Sequence, residues 1–206
     1  MNESILQKMK QMKLHGMASA FKTSLEDGGK VNLTADEMIS FLIESEWDDR
    51  NNRRIERRIR TARFRYRADV ELIDFKIERN LDKNLMNRFA ECTFIEKNEN
   101  ILITGSTGIG KSYVASALGN QACMLGFKVL YANTSKLFAM LKMARADGSF
   151  IRETARIEKM DLLILDDCDS NCHRLSIRTP LLRQGGAKMS SLARERNPAL
   201  AWSSGR

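Results

Sequence analysis

Proline and histidine are scarce in this chain, with 2 of each among 206 residues, beside 4 cysteines and 7% aromatic residues. Both prolines, Pro180 and Pro198, fall in the last 39 residues, so everything before them is free of that helix breaker. Four cysteines in a chain of this size do not make a disulfide scaffold, and without an export signal they are expected to be reduced thiols. No apolar run approaches the roughly 20 residues of a membrane span. The N-terminal stretch MNESILQKMKQMKLHGM mixes lysines into its apolar residues and lacks the unbroken core of a secretory signal. These absences predict a soluble, cytoplasmic protein.

What is present is a core and an uneven charge. At 43% hydrophobic and 29% charged residues, the composition suits a folded chain of one or two domains. The net charge of +8 is concentrated: residues 1–49 carry −4, residues 50–67 carry +8, residues 68–100 carry −3, residues 101–167 carry +2 and residues 168–206 carry +5. A uniformly basic coat is excluded.

Four regions follow from the pattern. Residues 1–68 form a helical region. Ile5, Met9, Met12, Leu14, Met17, Phe21 and Leu25 recur at helical spacing and Gly28-Gly29 ends that unit. Thr34-Ala-Asp-Glu37 reads as a capping box for a second helical stretch, with Met38, Phe41, Leu42 and Trp47 on its apolar side. That stretch meets no glycine or proline through residue 68, which predicts one long helix or two closely joined ones. Residues 69–100 read as a helical connector, with Leu81, Leu85, Met86 and Phe89 on its buried face. From residue 101 to 167, short apolar strands (101–104, 127–132 and 162–165) alternate with helices (111–125, one capped by Thr134 or Ser135, and one after Gly148), the mark of parallel βαβ units. The first of these helices has Val114, Leu118, Ala122 and Leu125 on one face and Gly126 as a left-handed end residue.

Between the first strand and the first helix of that region lies GSTGIGKS (105–112), a full match to the spacing G-x-x-x-x-G-K-[ST]. Gly105, Gly108 and Gly110 let the backbone of Ser106, Thr107 and Ile109 turn its N–H groups toward phosphate oxygens. Lys111 would reach the β- and γ-phosphates, Ser112 would offer its hydroxyl to Mg²⁺, and the helix start adds a positive dipole end. A chance glycine-rich turn is the plainer alternative, but the strand before and the helix after are both present. The partner motif is LLILDD (162–167), an apolar strand that ends in acids beside the loop. Asp166 would hold Mg²⁺ and Asp167 would orient or deprotonate the attacking water. ATP and Mg²⁺ are the cofactors this predicts.

These residues carry a resemblance. LHGMASAF (14–21), EWDDRNNRRIERRIRTARF (46–64), the stretch 92–123 with the phosphate loop, GFKVLYANTSKLFAMLKMARADGSF (126–150) and DLLILDD (161–167) resemble the IstB-like ATP-binding proteins. Those are helper ATPases of bacterial insertion sequences, in the AAA+ group and related to the DnaC helicase loaders. The resemblance implies an α/β P-loop NTPase with a parallel sheet, preceded by an all-α N-terminal region. It further implies ATP binding, assembly on duplex DNA as a homo-oligomer, and delivery of a target site to a transposase. Gly105, Gly108, Gly110, Lys111 and Ser112 match its Walker A loop, and Asp166 and Asp167 its Walker B acids.

After Asp167 the sequence departs from the family, which continues with a sensor strand and an arginine that reaches a neighbour's ATP. Residues 168–206 show no contiguous apolar strand. The expectation is therefore a gap in the sheet between the phosphate-loop strand and the Walker B strand, with unpaired backbone groups, and a poorly ordered tail produced by a frameshift or truncation or belonging to a natural short variant. Hydrolysis stays open for the same reason. A helicase-loader adaptor in replication and a non-hydrolysing DNA-binding remnant remain alternatives.

The segment 50–67 has nine arginines against Glu56. Ile55, Ile59, Ala62 and Tyr66 recur as a packed stripe, flanked by Arg53, Arg57 and Arg60 on one side and Arg54 and Arg58 on the other; with Arg50 these are the candidate DNA contacts. Guanidinium groups bind phosphate bidentately and keep their charge. Charge alone is equally compatible with a solvated face neutralised by acidic flanks; the resemblance favours duplex DNA. Of the minor signals, Cys168, Cys172 and His173 give only three zinc ligands and predict no site. Cys92 and Cys123 read as small buried residues, and His15 as a helix-surface histidine.

Overall fold

The computed structural model describes residues 2–26, 34–75, 81–166, 174–178 and 199–201. They divide into two compact units, residues 1–57 and 58–206.

In the first unit, α1 (Asn2–Gln11) and α2 (His15–Glu26) replace the single helical stretch that the spacing suggested. The break is at Lys13, whose φ of 59° lies in the left-handed region. α3 (Ala35–Ala62) starts with the predicted capping box. Glu37 Oε2 accepts from the Thr34 N–H at 2.8 Å, and the Glu37 N–H donates to the Thr34 hydroxyl at 3.3 Å. Gly28-Gly29 lies outside the described residues.

α2 and α3 touch through a residue that has no side chain. A Cβ on Gly16 would run into the Ser45 carbonyl and come within 2.7 Å of Asp49 Cβ and 2.8 Å of Glu46 Cα. Ala18 and Ala20 are buried on the same helix. Such close approach brings Glu46 over the start of α2, where it accepts from the Met17 N–H at 3.1 Å and pairs with Arg50 at 2.7 Å. Burial pushes the Glu46 carboxyl up, but the Arg50 and Met17 hydrogen bonds and the Arg50 charge outweigh it, leaving the group below the usual carboxylate range. The contact face of α3 thus follows Ser45, Glu46 and Asp49. Trp47 points to the far side of the helix from Ser45 and Asp49 and is 67% exposed, against the expectation that it belongs to the apolar side. His15 is exposed as expected.

α3 ends at Ala62, short of residue 68, because Arg63 turns into the left-handed region at φ 58°. In the second unit, Ile59 packs on the core and Ala62 is fully buried, while Tyr66, expected to continue the stripe, is 43% exposed. The connector holds a short 3-10 turn (Val70–Leu72), α4 (Lys83–Ala90) and α5 (Thr93–Glu96). Asp82 caps α4, and Met86 and Phe89 are buried with Leu81 and Leu85 packed beside them.

The α/β region follows as β1 (Ile101–Thr104), α6 (Lys111–Met124), β2 (Val129–Asn133), α7 (Thr134–Ala146), α8 (Phe150–Glu158) and β3 (Leu162–Asp166). α6 is buried from Val114 through Gly119, because the core meets it on more than one side; Leu125, by contrast, is 51% exposed. The cap of α7 is Asn133, whose side chain accepts from the Lys136 N–H, and not Thr134 or Ser135.

Two further strands correct the expected gap. β4 (Arg174–Arg178) and β5 (Ala199–Ala201) complete a sheet of order β2-β3-β4-β1-β5. β2–β3 and β1–β5 run parallel, whereas β4 runs antiparallel to both of its neighbours, with Ile177 opposite Ile101 on β1 and opposite Ile164 on β3. The stretch RLSIR alternates apolar and polar residues, and Ile177 is fully buried. A strand needs only this period of two, not a contiguous apolar run, to present one face to a core. An antiparallel neighbour serves the facing N–H and C=O groups as well as a parallel one.

Candidate nucleotide site

β1 runs into residues 105–110, and the chain leaves them as α6. Gly108 and Gly110 hold φ of 84° and 100°, a region closed to most side chains. Gly110 is the N-cap of α6, so the first amide groups of that helix open onto the loop. Lys111 Nζ lies back over the loop and donates to the carbonyls of Gly105 and Ser106, each at 2.7 Å.

Facing this loop is Asp166, the last residue of β3 and almost fully buried. Its Oδ1 accepts from the Ser112 hydroxyl at 3.2 Å, across 54 residues of sequence. Its Oδ2 accepts from the Tyr131 hydroxyl and lies 3.5 Å from Arg65 Nη1. Its backbone carbonyl accepts from the Thr134 hydroxyl at 2.9 Å. Burial pushes the Tyr131 hydroxyl well up, and the bond to Asp166 with its negative charge pushes it further, so it stays a proton donor. A hydroxyl and a carboxylate oxygen side by side are hard donors that fit Mg²⁺, which takes few protein ligands and fills its shell with water and phosphate. No cluster of three or more His, Cys, Asp or Glu able to hold a metal exists among the described residues.

Two participants were not legible as site residues. Tyr131 read only as part of a strand; the register Asn133↔Asp166 sets it two residues back on β2, on the same face. Arg65 read as one of nine arginines. Asp167 and the Cys168, Cys172 and His173 group lie outside the described residues. Cys92 and Cys123 are buried free thiols, as expected, and burial first of all pushes them up to about 12 and about 11.

The candidate DNA contacts differ in their pairing. Arg50 pairs with Glu46 at 2.7 Å and Arg53 with Asp49 at 2.6 Å, each one helical turn back on α3. Arg54 and Arg60 are exposed and make no ion pair among the described residues. Arg57 is exposed with a partner of its own, and Arg58 is half-buried beside Cys123, where its charge lowers the thiol.

A strand-loop-helix with this glycine spacing, set beside a buried strand-end aspartate in an α/β sheet, defines a P-loop nucleotide-binding fold. Residues 7–173 match the family of IstB-like ATP binding proteins, and the chain belongs to that family. It is 38% identical over 162 residues to the insertion sequence ATP-binding protein y4pL of Sinorhizobium fredii, covering 79% of this chain and 66% of that one. It is 37% identical to the insertion sequence IS1162 ATP-binding protein of Pseudomonas fluorescens (81% and 73% covered). To the insertion sequence IS21 ATP-binding protein of Pseudomonas aeruginosa it is 28% identical (77% and 60% covered). The chain therefore spans roughly two thirds of the length of these curated relatives. No helix among the described residues is long and apolar enough to cross a membrane.

Proposed function

We propose that the chain is an ATP-binding helper of insertion sequence transposition, which binds ATP with Mg²⁺ at residues 105–112 and couples that state to duplex DNA and a transposase. The observation that carries the nucleotide reading is the Ser112–Asp166 pair at 3.2 Å, opposite a loop whose glycines hold left-handed φ. Backbone N–H groups from Gly105 through Gly110 would cradle the phosphates, and Lys111 would leave the loop carbonyls for the β- and γ-phosphate oxygens. Ser112 and Asp166 would hold the magnesium ion. When bound, that ion supplies charge neutralisation between the phosphates. Asp167, next along the chain, would orient the attacking water if turnover occurs.

The names of the relatives support the role in transposition. The arginines of residues 50–60 support contact with the DNA backbone: guanidinium groups at this density bind phosphate without reading bases. A homo-oligomer on DNA belongs to the same reading. Equilibrium titration with a fluorescent ATP analogue tests its foundation. Magnesium-dependent binding that Lys111→Ala removes is expected; equal affinity in that variant would reject the site.

A further inference from the structure

Asp166 has two carboxylate oxygens, and the fold treats them differently. Oδ1 accepts from the Ser112 hydroxyl of the phosphate-loop helix at 3.2 Å. Oδ2 accepts from the Tyr131 hydroxyl and from the Arg65 guanidinium at 3.5 Å. We propose that Tyr131 and Arg65 are positioning residues of the magnesium site, clamping Oδ2 of Asp166 so that Oδ1 stays beside the Ser112 hydroxyl as the metal-facing oxygen. This rests on the nucleotide reading above and adds to it the residues that set the geometry of its metal.

Each clamp residue is itself held. Tyr131 lies on β2 directly beside β3, opposite Ile164, and the edge of its ring meets Phe64 with centroids 6.3 Å apart and planes at 76°. Phe64 is pressed against α6 at Gly119, where a Cβ would come within 2.5 Å of its ring. The left-handed turn at Arg63 ends α3, and the two residues after it diverge: Phe64 packs against the core and Arg65 reaches the strand end. Arg65 also lies 5.6 Å over the Tyr66 ring. A carboxylate free to rotate about its last torsion would present either oxygen to the metal. Pinning one oxygen removes that freedom. One of the nine arginines of residues 50–67 therefore serves the nucleotide site and should not be counted toward a DNA surface.

The test is a Mg²⁺ titration of fluorescent ATP analogue binding in the full chain, with a parallel measurement in EDTA. Tyr131→Phe and Arg65→Gln are each expected to raise the Mg²⁺ concentration at half-saturation by roughly tenfold, with metal-free affinity unchanged within about twofold. Arg65→Lys keeps the charge and should recover most of the wild-type curve. Arg65 is half-exposed, so its variants test the clamp even if Tyr131→Phe disturbs the core. Magnesium curves that overlay the wild type in both variants would overturn the proposal. So would equal losses with and without metal, the signature of a merely structural role. A wild-type chain that binds no nucleotide would instead reject the phosphate site itself, and this clamp with it.

Discussion

The arginine-rich stretch of α3 and the end of β3 both gather charge, and they do so in opposite ways. On α3 the charges are many, and where the structure pairs them it uses acids one turn away, as in Arg50–Glu46 and Arg53–Asp49. At β3 a single buried carboxylate collects donors from positions 54, 35 and 101 residues distant, Ser112, Tyr131 and Arg65. The first arrangement leaves its guanidinium groups about half-exposed on the helix surface, where a pair is worth little, although Glu46 itself is buried and also accepts from the Met17 N–H. The second is a site, because buried polar groups must find partners and those partners fix one geometry. Counting charge along the sequence would rank the two regions the wrong way round.

Breaking the β3 site should give the largest effects. Lys111→Ala should remove magnesium-dependent ATP binding, while leaving the fold intact by circular dichroism. Next comes packing, where a glycine in each unit sits at a close contact. Gly119→Val would collide with Phe64 and Ile164, and Gly16→Val with Ser45, Glu46 and Asp49. Each should cost about 1–3 kcal/mol in denaturant unfolding; the sharper comparison is that only Gly119→Val should also disturb nucleotide binding. Thr34→Ala removes the capping box and should cost about 1 kcal/mol, with no change at the nucleotide site.

The smallest effects lie in the charges of α3 and sharpen the comparison from the other side. Arg54→Ala and Arg60→Ala should weaken duplex DNA binding more than Arg50→Ala and Arg53→Ala, whose guanidinium groups are already engaged by Glu46 and Asp49. Each lost phosphate contact should lower the salt slope of DNA binding by about 1. The Glu46 carboxyl is depressed, so its stabilising contribution is present above the unfolded value of about 4.3 and is lost as pH falls through the lower folded value. Glu46→Gln should flatten that acid limb in a pH series of thermal melts.

The phosphate loop, the strand before it and the helix after it were legible because each rests on local chemistry: glycine spacing, a short apolar run, helical periodicity. The capping box at Thr34 and Glu37 was legible for the same reason. β4 was not, because RLSIR is too polar to stand out, and it becomes a strand only where β1 and β3 offer two unpaired edges. Trp47 was misplaced because helical periodicity identifies a face only when it is known which neighbour sets it, and here Gly16 sets it.

By itself, then, the sequence determined the helical first region, the βαβ order from residue 101 to 167, and the loop that suits a nucleotide, since these follow from interactions between residues a few positions apart. Tertiary structure alone decided that an antiparallel strand fills the sheet centre, that α2 and α3 meet at a glycine, and that Tyr131 and Arg65 hold Asp166. Those contacts join residues separated by tens of positions. Nothing in local propensity encodes them; they arise when burial forces each edge, void and charge to find a partner.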